Sequence, residues 1–251
     1  MLEVKIVNAR IIDGSGRPGF RGDVGLAEGK IAAVGDLSAA EAGEVIDARG
    51  QALTPGFLDI HRHADLAVLA PDFGEWELRQ GLTTIVNGNC GLSAAPLSGI
   101  HREALGRYLA PITGDAGDAD FPTLGDYLRR CGRLPLHAGE LIGMGTLRAG
   151  IAGFRPGALT AAEGKAVRAA LERALADGAL GVSLGLGYAP ESYETTEELI
   201  SLLSPLRRSG VVISVHMRQE GDGVEAALAE MLTVARALET PVEISHLKAI
   251  G

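Results

Sequence analysis

Hydrophobic and polar positions change rhythm close to residue 54. Before it, short runs with near-alternating apolar residues, "VKIVNARIID", "GDVGLAEGKIAAVG" and "EVIDARG", are broken by turn residues, including a Glu-Gly-Lys turn. Period-two text of this kind predicts a small antiparallel sheet unit from Val4 to Asp47. From "LTPGFLDIHRH" onward, continuous apolar runs alternate with longer helical patterns. The runs are "FLDI", "TTIV", "GELIGM", "ALGVSLGL", "VVISV" and "VEIS". This alternation predicts βαβ units and a parallel sheet, an α/β fold. The expected division is residues 1–53 for the β unit and 54–251 for the α/β part.

The helices carry their own boundary signals. "TAAEGKAVRAALERALADG" opens with Thr160 and Glu163 at capping-box spacing and closes on Gly178, a residue suited to the left-handed C′ position. "TTEELISLLSPLRRSG" repeats the device with Thr195 and Glu198, and Pro205 should shorten that helix. A third helix, "GVEAALAEMLTVARALETP", is ended by Pro241. The stretch "LAPITGDAGDADFPTLGDYLRRCGRLP" has little periodicity and predicts a loop with one short helix near Leu124–Arg130.

Composition narrows the function classes. The 251 residues are 46% hydrophobic and 22% charged with 35 glycines, an ordinary globular balance. A formal charge of -9 with no Lys/Arg block argues against a nucleic-acid backbone or an anionic membrane as partner. No apolar run approaches the ~18 residues of a membrane span, and the start resembles no signal peptide, so a cytoplasmic protein is expected. Cys90 and Cys131 are too few for a disulfide framework.

Chemistry-bearing residues gather at the ends of the apolar runs. In "DIHRHAD", strand alternation would point His61 and His63 the same way, toward one ion or simply toward solvent. Cys90 follows "TTIV" within Asn-Gly-Asn-Cys-Gly, a strand-end loop rather than a core position. His216 ends "VVISVH" and His246 ends "VEISH". Four strands thus terminate in metal-ligand residue types, and in a parallel barrel all such termini open on one face. Cys131, His101 and His137 do not share that placement and are read as structural. Tyr188, in "LGLGYAPESY", either meets a ligand or packs a tight loop. Lys248 would share a side with His246 if the strand continues, and is otherwise a solvated lysine.

"TPGFLDIHRH", "GLTTIVNGNCG", "GVSLGLGYAPESYETTEEL", "VHMRQEG" and "ISHLKAIG", in this order, resemble the N-acyl-D-amino-acid deacylase (D-aminoacylase) family of the amidohydrolase superfamily. The resemblance implies a zinc-dependent (β/α)₈ barrel beside a small β-sandwich, hydrolysing N-acyl-D-amino acids to a carboxylate and a free D-amino acid. It implies that Cys90, His216 and His246 hold one tightly bound zinc, with His61 and His63 at a weaker second site, and that Tyr188 and Lys248 meet the substrate. The cysteine takes the bridging place that a carboxylated lysine fills in many other superfamily members.

Two departures accompany the likeness. Met144 stands in "GMGTLR" where relatives often have histidine. The aspartate expected to act as general acid/base matches no residue up to 251, and neither Asp65 nor Glu220 is expected to replace it. A full barrel takes about 250 residues, whereas six strand candidates follow the β unit. The expectation is an incomplete (β/α)₈ barrel, a possible N-terminal portion whose missing C-terminal half would cover the open edges. Rival readings are a cyclic-amide hydrolase of the hydantoinase or dihydroorotase kind and a non-catalytic metal-binding fragment.

Overall fold

The computed structural model describes residues 1–250. The chain divides into two compact units, Met1–Phe57 and a second from Leu58 onward. In the first, β1 (Leu2–Ile11), β2 (Phe20–Ala27), β3 (Lys30–Gly35), β4 (Ala42–Asp47) and β5 (Ala52–Leu53) form one sheet in the order β3-β2-β1-β4, with β5 also on β1. Glu28 and Gly29, both at positive φ, make the tight turn between β2 and β3, which suits the twist of an antiparallel hairpin.

The expectation of an antiparallel sandwich needs correction here. β1–β2 and β2–β3 are antiparallel, but β4 and β5 both pair parallel to β1. The reason lies in the connection: after β3 the chain crosses to the far edge of β1 and enters β4 in the same direction as β1. Period-two patterning reports the faces of a strand and not its direction. The unit is a single mixed sheet with a small core of Ala9, Ile11 and Val24, while Ile31, Val34, Val45 and Ile46 stay exposed.

The second unit follows the predicted alternation. Its strands are β6 (Phe57–Asp59), β7 (Leu82–Asn87), β8 (His137–Gly143), β9 (Gly181–Gly185), β10 (Val212–His216) and β11 (Val242–Ile244). They stand side by side in sequence order, and β7 to β11 pair in parallel. All six apolar runs are strands. β9 is buried along its whole length, which is why it reads as a continuous apolar run rather than an alternating one.

The helices are α1 (Glu75–Arg79), α2 (Arg102–Thr113), α3 (Leu124–Cys131), α4 (Met144–Ala152), α5 (Ala161–Asp177), α6 (Thr196–Leu202) and α7 (Val224–Leu238). Both expected capping boxes form, at Thr160–Glu163 and Thr195–Glu198, and Gly178 closes α5 at φ 113°. α6 stops before Pro205, which lies in a separate 3₁₀ turn. Val167, Leu171, Leu199, Val234 and Leu238 face the sheet residues Ile142, Val182, Leu184, Ile213 and Val215 in one core.

Two helices depart from the expectation. α2 continues through Pro111, because a proline close to the C-terminal end disturbs few bonds while Leu105 and Leu109, four apart, are buried. α4 carries no legible stripe: Met144 to Ala149 are all buried, so no polar face reveals its period.

Candidate metal centre

The sheet delivers the predicted residues to one end. His216 is the last residue of β10, Cys90 lies three residues beyond β7, and His246 lies two beyond β11. His61 and His63 lie past the end of β6, so turn geometry rather than strand alternation brings their rings to 5.3 Å. Cys90 Sγ stands 3.4 Å from His61 Nε2 and 3.5 Å from His246 Nε2. The His246 ring lies 4.8 Å from that of His61 and 4.9 Å from that of His216. Five side chains far apart in sequence thus form one contiguous cluster.

Ligand atoms group differently from the expected sets. His61, Cys90 and His246 place theirs within 4.8 Å of one another, and so do His216, Glu220 and His246. His246 is common to both. Glu220 was missed as a member of the site. The available signal was its position four residues after His216 on the loop leaving β10. One Glu220 oxygen pairs with Lys248 Nζ at 3.1 Å, and the other is buried without a hydrogen-bond partner. β11 stops at Ile244, and the Lys248 N–H donates to the His246 carbonyl at 3.0 Å. Lys248 is therefore neither on a continued strand nor simply solvated; a turn aims it at Glu220.

The Cys90 loop is built from unusual backbone. Cys90 has φ 57°, flanked by Gly88 at 75° and Gly91 at 73°. A left-handed cysteine persists only where neighbours hold it. Asp65 Oδ1 accepts the Gly88 N–H at 2.9 Å, Ser183 Oγ accepts the Gly91 N–H at 2.9 Å, and the Tyr188 hydroxyl donates to the Cys90 carbonyl at 2.5 Å. Asn89 donates its side-chain amide to the Val86 carbonyl at 3.0 Å, tying the loop back to β7. The Tyr188 ring also lies 5.1 Å from that of His216.

The electrostatics suit a soft cation. Burial, then the neighbouring imidazoles, pushes His63 down to about 4; His61 and His216 are lowered, first by burial. These rings are therefore uncharged at neutral pH, the form in which imidazole ligates. Burial pushes the Cys90 thiol up to about 12. A bound dication reverses that, since a coordinating thiol is deprotonated outright. His63 Nδ1 is buried with no hydrogen-bond partner. Imidazole nitrogens around one thiol fit Zn²⁺.

His101 lies in a 3₁₀ turn against Gly153 and His137 opens β8; neither joins the cluster. Cys131, the last residue of α3, is likewise elsewhere, and Met144 begins α4 in the core. Asp65 is fully buried beneath the Cys90 loop.

A parallel α/β sheet that gathers His and Cys side chains at its strand ends is an arrangement suited to holding a metal ion. The sequence profile described as "Amidohydrolase family" matches residues 44–250, and the chain belongs to that family. It is 41% identical to an N-acyl-D-aspartate deacylase of Alcaligenes xylosoxydans xylosoxydans, a match covering 98% of this chain and 49% of that one. A structure of D-aminoacylase, described for its binuclear metal centre, superposes with a TM-score of 0.90 at 37% identity and covers 100% of this chain and 52% of that one. An N-acyl-D-glutamate deacylase from Bordetella bronchiseptica, complexed with zinc and a phosphonate mimic of the tetrahedral intermediate, gives 0.89 at 36%, covering 99% and 52%. D-hydantoinase, at 19% identity and 0.57, shares the fold alone. The chain spans about half the length of the curated relatives it matches. No helix among the described residues is long and apolar enough to cross a membrane.

Proposed function

We propose that this chain is part of a zinc-dependent hydrolase of N-acyl-D-amino acids, its parallel sheet forming part of a (β/α)₈ barrel. The observation that carries the reading is the convergence of His61, His63, Cys90, His216 and His246 at one end of the sheet, in a protein similar to deacylases of D-residues. Zinc bound there supplies Lewis acidity toward an amide carbonyl and toward water. The family likeness puts Cys90, His216 and His246 at a tight site and His61 and His63 at a weaker one, whereas the short distances join Cys90 to His61 and His246, so His246 and Cys90 are the donors that both groupings share. Lys248 attracts the substrate carboxylate as a compact positive charge, with Glu220 holding the ammonium near the histidines. Tyr188 closes the pocket wall beside His216 while its hydroxyl fixes the Cys90 carbonyl.

Asp65 cannot shuttle a proton to substrate from beneath the loop, and Glu220 is committed to Lys248. We therefore assign proton transfer to an aspartate outside these 251 residues. The test offers zinc-loaded protein N-acetyl-D-methionine, N-acetyl-D-glutamate, their L-enantiomers and a hydantoin. Hydrolysis of the D-compounds is expected only when that aspartate is supplied, and turnover of the hydantoin above both D-compounds would replace the reading.

A further inference from the structure

Glu191, in the "YAPESY" motif, has no part in the site as described, yet it is 1% exposed and lies directly under the loop that carries Cys90. Its Oε2 accepts the Gly185 N–H at 2.9 Å, at the C-terminal end of β9. Gly145, in the first turn of α4, packs against the same carboxyl. Gly91 comes so close that a Cβ built on it would stand 1.9 Å from that Oε2, and one on Gly145 would stand 2.6 Å away. A single oxygen therefore touches three backbone segments that meet at the metal centre.

A carboxyl buried this deeply is costly unless its bonds fix something. Three features show what is fixed. Cys90 needs outside support for its left-handed backbone. Gly91, its neighbour, is pinned on the far side by Ser183 and Thr146, at 2.9 and 3.0 Å. No side chain but hydrogen fits between Gly91 and the carboxyl. Burial, then the neighbouring Glu194, holds the carboxyl of Glu191 well above the usual range.

We propose that Glu191 is a positioning residue of the metal centre, setting the backbone at Cys90–Gly91 so that the thiol faces His61 and His246. The inference rests on reading that cluster as a zinc site. Its length matters as well as its polarity: a carboxyl one methylene shorter would not reach Gly185 and Gly91 together.

The experiment measures zinc affinity of the 251-residue chain by competition with a chromophoric chelator, and the thiolate-to-metal absorption of its cobalt form. Glu191→Gln, which keeps an acceptor oxygen at the same reach, should retain wild-type affinity and absorption. Glu191→Asp should lose about 10–100-fold in affinity, the range for residues that orient ligands, with weaker absorption per bound cobalt. Glu191→Leu, filling the space without an acceptor, should behave as Glu191→Asp does and decides the matter if the shorter side chain unfolds the protein by circular dichroism. Wild-type affinity and absorption in the Asp or Leu variant overturn the proposal, as does equal loss in the Gln and Asp variants. A wild-type chain that takes up no zinc overturns the metal reading itself, and the proposal with it; zinc uptake unaffected by position 191 overturns the proposal alone.

Discussion

At the scale of single residues the centre sets one buried thiol among imidazoles. With the thiol pushed up to about 12 by burial, metal entry displaces a proton from Cys90. Zinc affinity should then rise about tenfold per pH unit between pH 7 and 8, because ligand deprotonation is coupled to binding. The sign follows from the thiol: its protonated form competes with metal, and lower pH favours that form. Titration calorimetry at two pH values in Cys90→Ala should show a flatter dependence and much weaker binding. Equal zinc retention by wild type and Cys90→Ala after dialysis would remove the cysteine from the site. Lys248→Met should raise KM for an N-acyl-D-amino acid in an active form of the enzyme, since a charge that holds carboxylate acts in ground and transition state alike. An unchanged KM would leave the ammonium serving only Glu220.

Elements decide whether those residues arrive. β9 carries no ligand, yet its Ser183 accepts the Gly91 N–H and donates to the Gly88 carbonyl, so this central strand braces the loop on β7. Leu184, fully buried between the helices and the sheet, anchors β9. Leu184→Ala should cost about 2–5 kcal/mol of stability by urea unfolding, the range for a buried leucine whose cavity cannot collapse. A smaller loss is expected from Thr160→Ala, which removes the cap of α5 at the other side of the same core. If the cap variant proved the more damaging, the sheet core would not be the main source of stability in this unit.

For the whole molecule, the ligand residues all belong to the unit from Leu58 onward. Zinc should therefore raise the thermal transition of that unit. Binding to the folded state alone contributes about 2.7 kcal/mol at a free zinc concentration of 100 Kd. Differential scanning calorimetry of wild type and Cys90→Ala, each with zinc and with chelator, would show the shift in one protein and its absence in the other. A zinc-dependent shift that survives Cys90→Ala would place the stabilising ion elsewhere.

Local chemistry was enough to read six strands and the caps of α5 and α6, and to single out five side chains that the fold gathers at one end of the sheet, because burial on both faces leaves continuous apolar runs, and capping and turn residues act within a few positions of themselves. The family likeness likewise lay in short motifs. Other features needed the folded chain. The direction of β4 and β5 depends on which edge of β1 a connection reaches, which period-two text does not encode. α4 is buried all round, so no stripe marked it. Glu220 joins His216 and His246, and Glu191 meets Gly91, only because loops from different strands close over one another. The candidate donors can be named from sequence because their type and strand-end position are local properties; their grouping is tertiary, because a distance such as that between Cys90 and His246, 156 residues apart, exists only once the sheet is assembled.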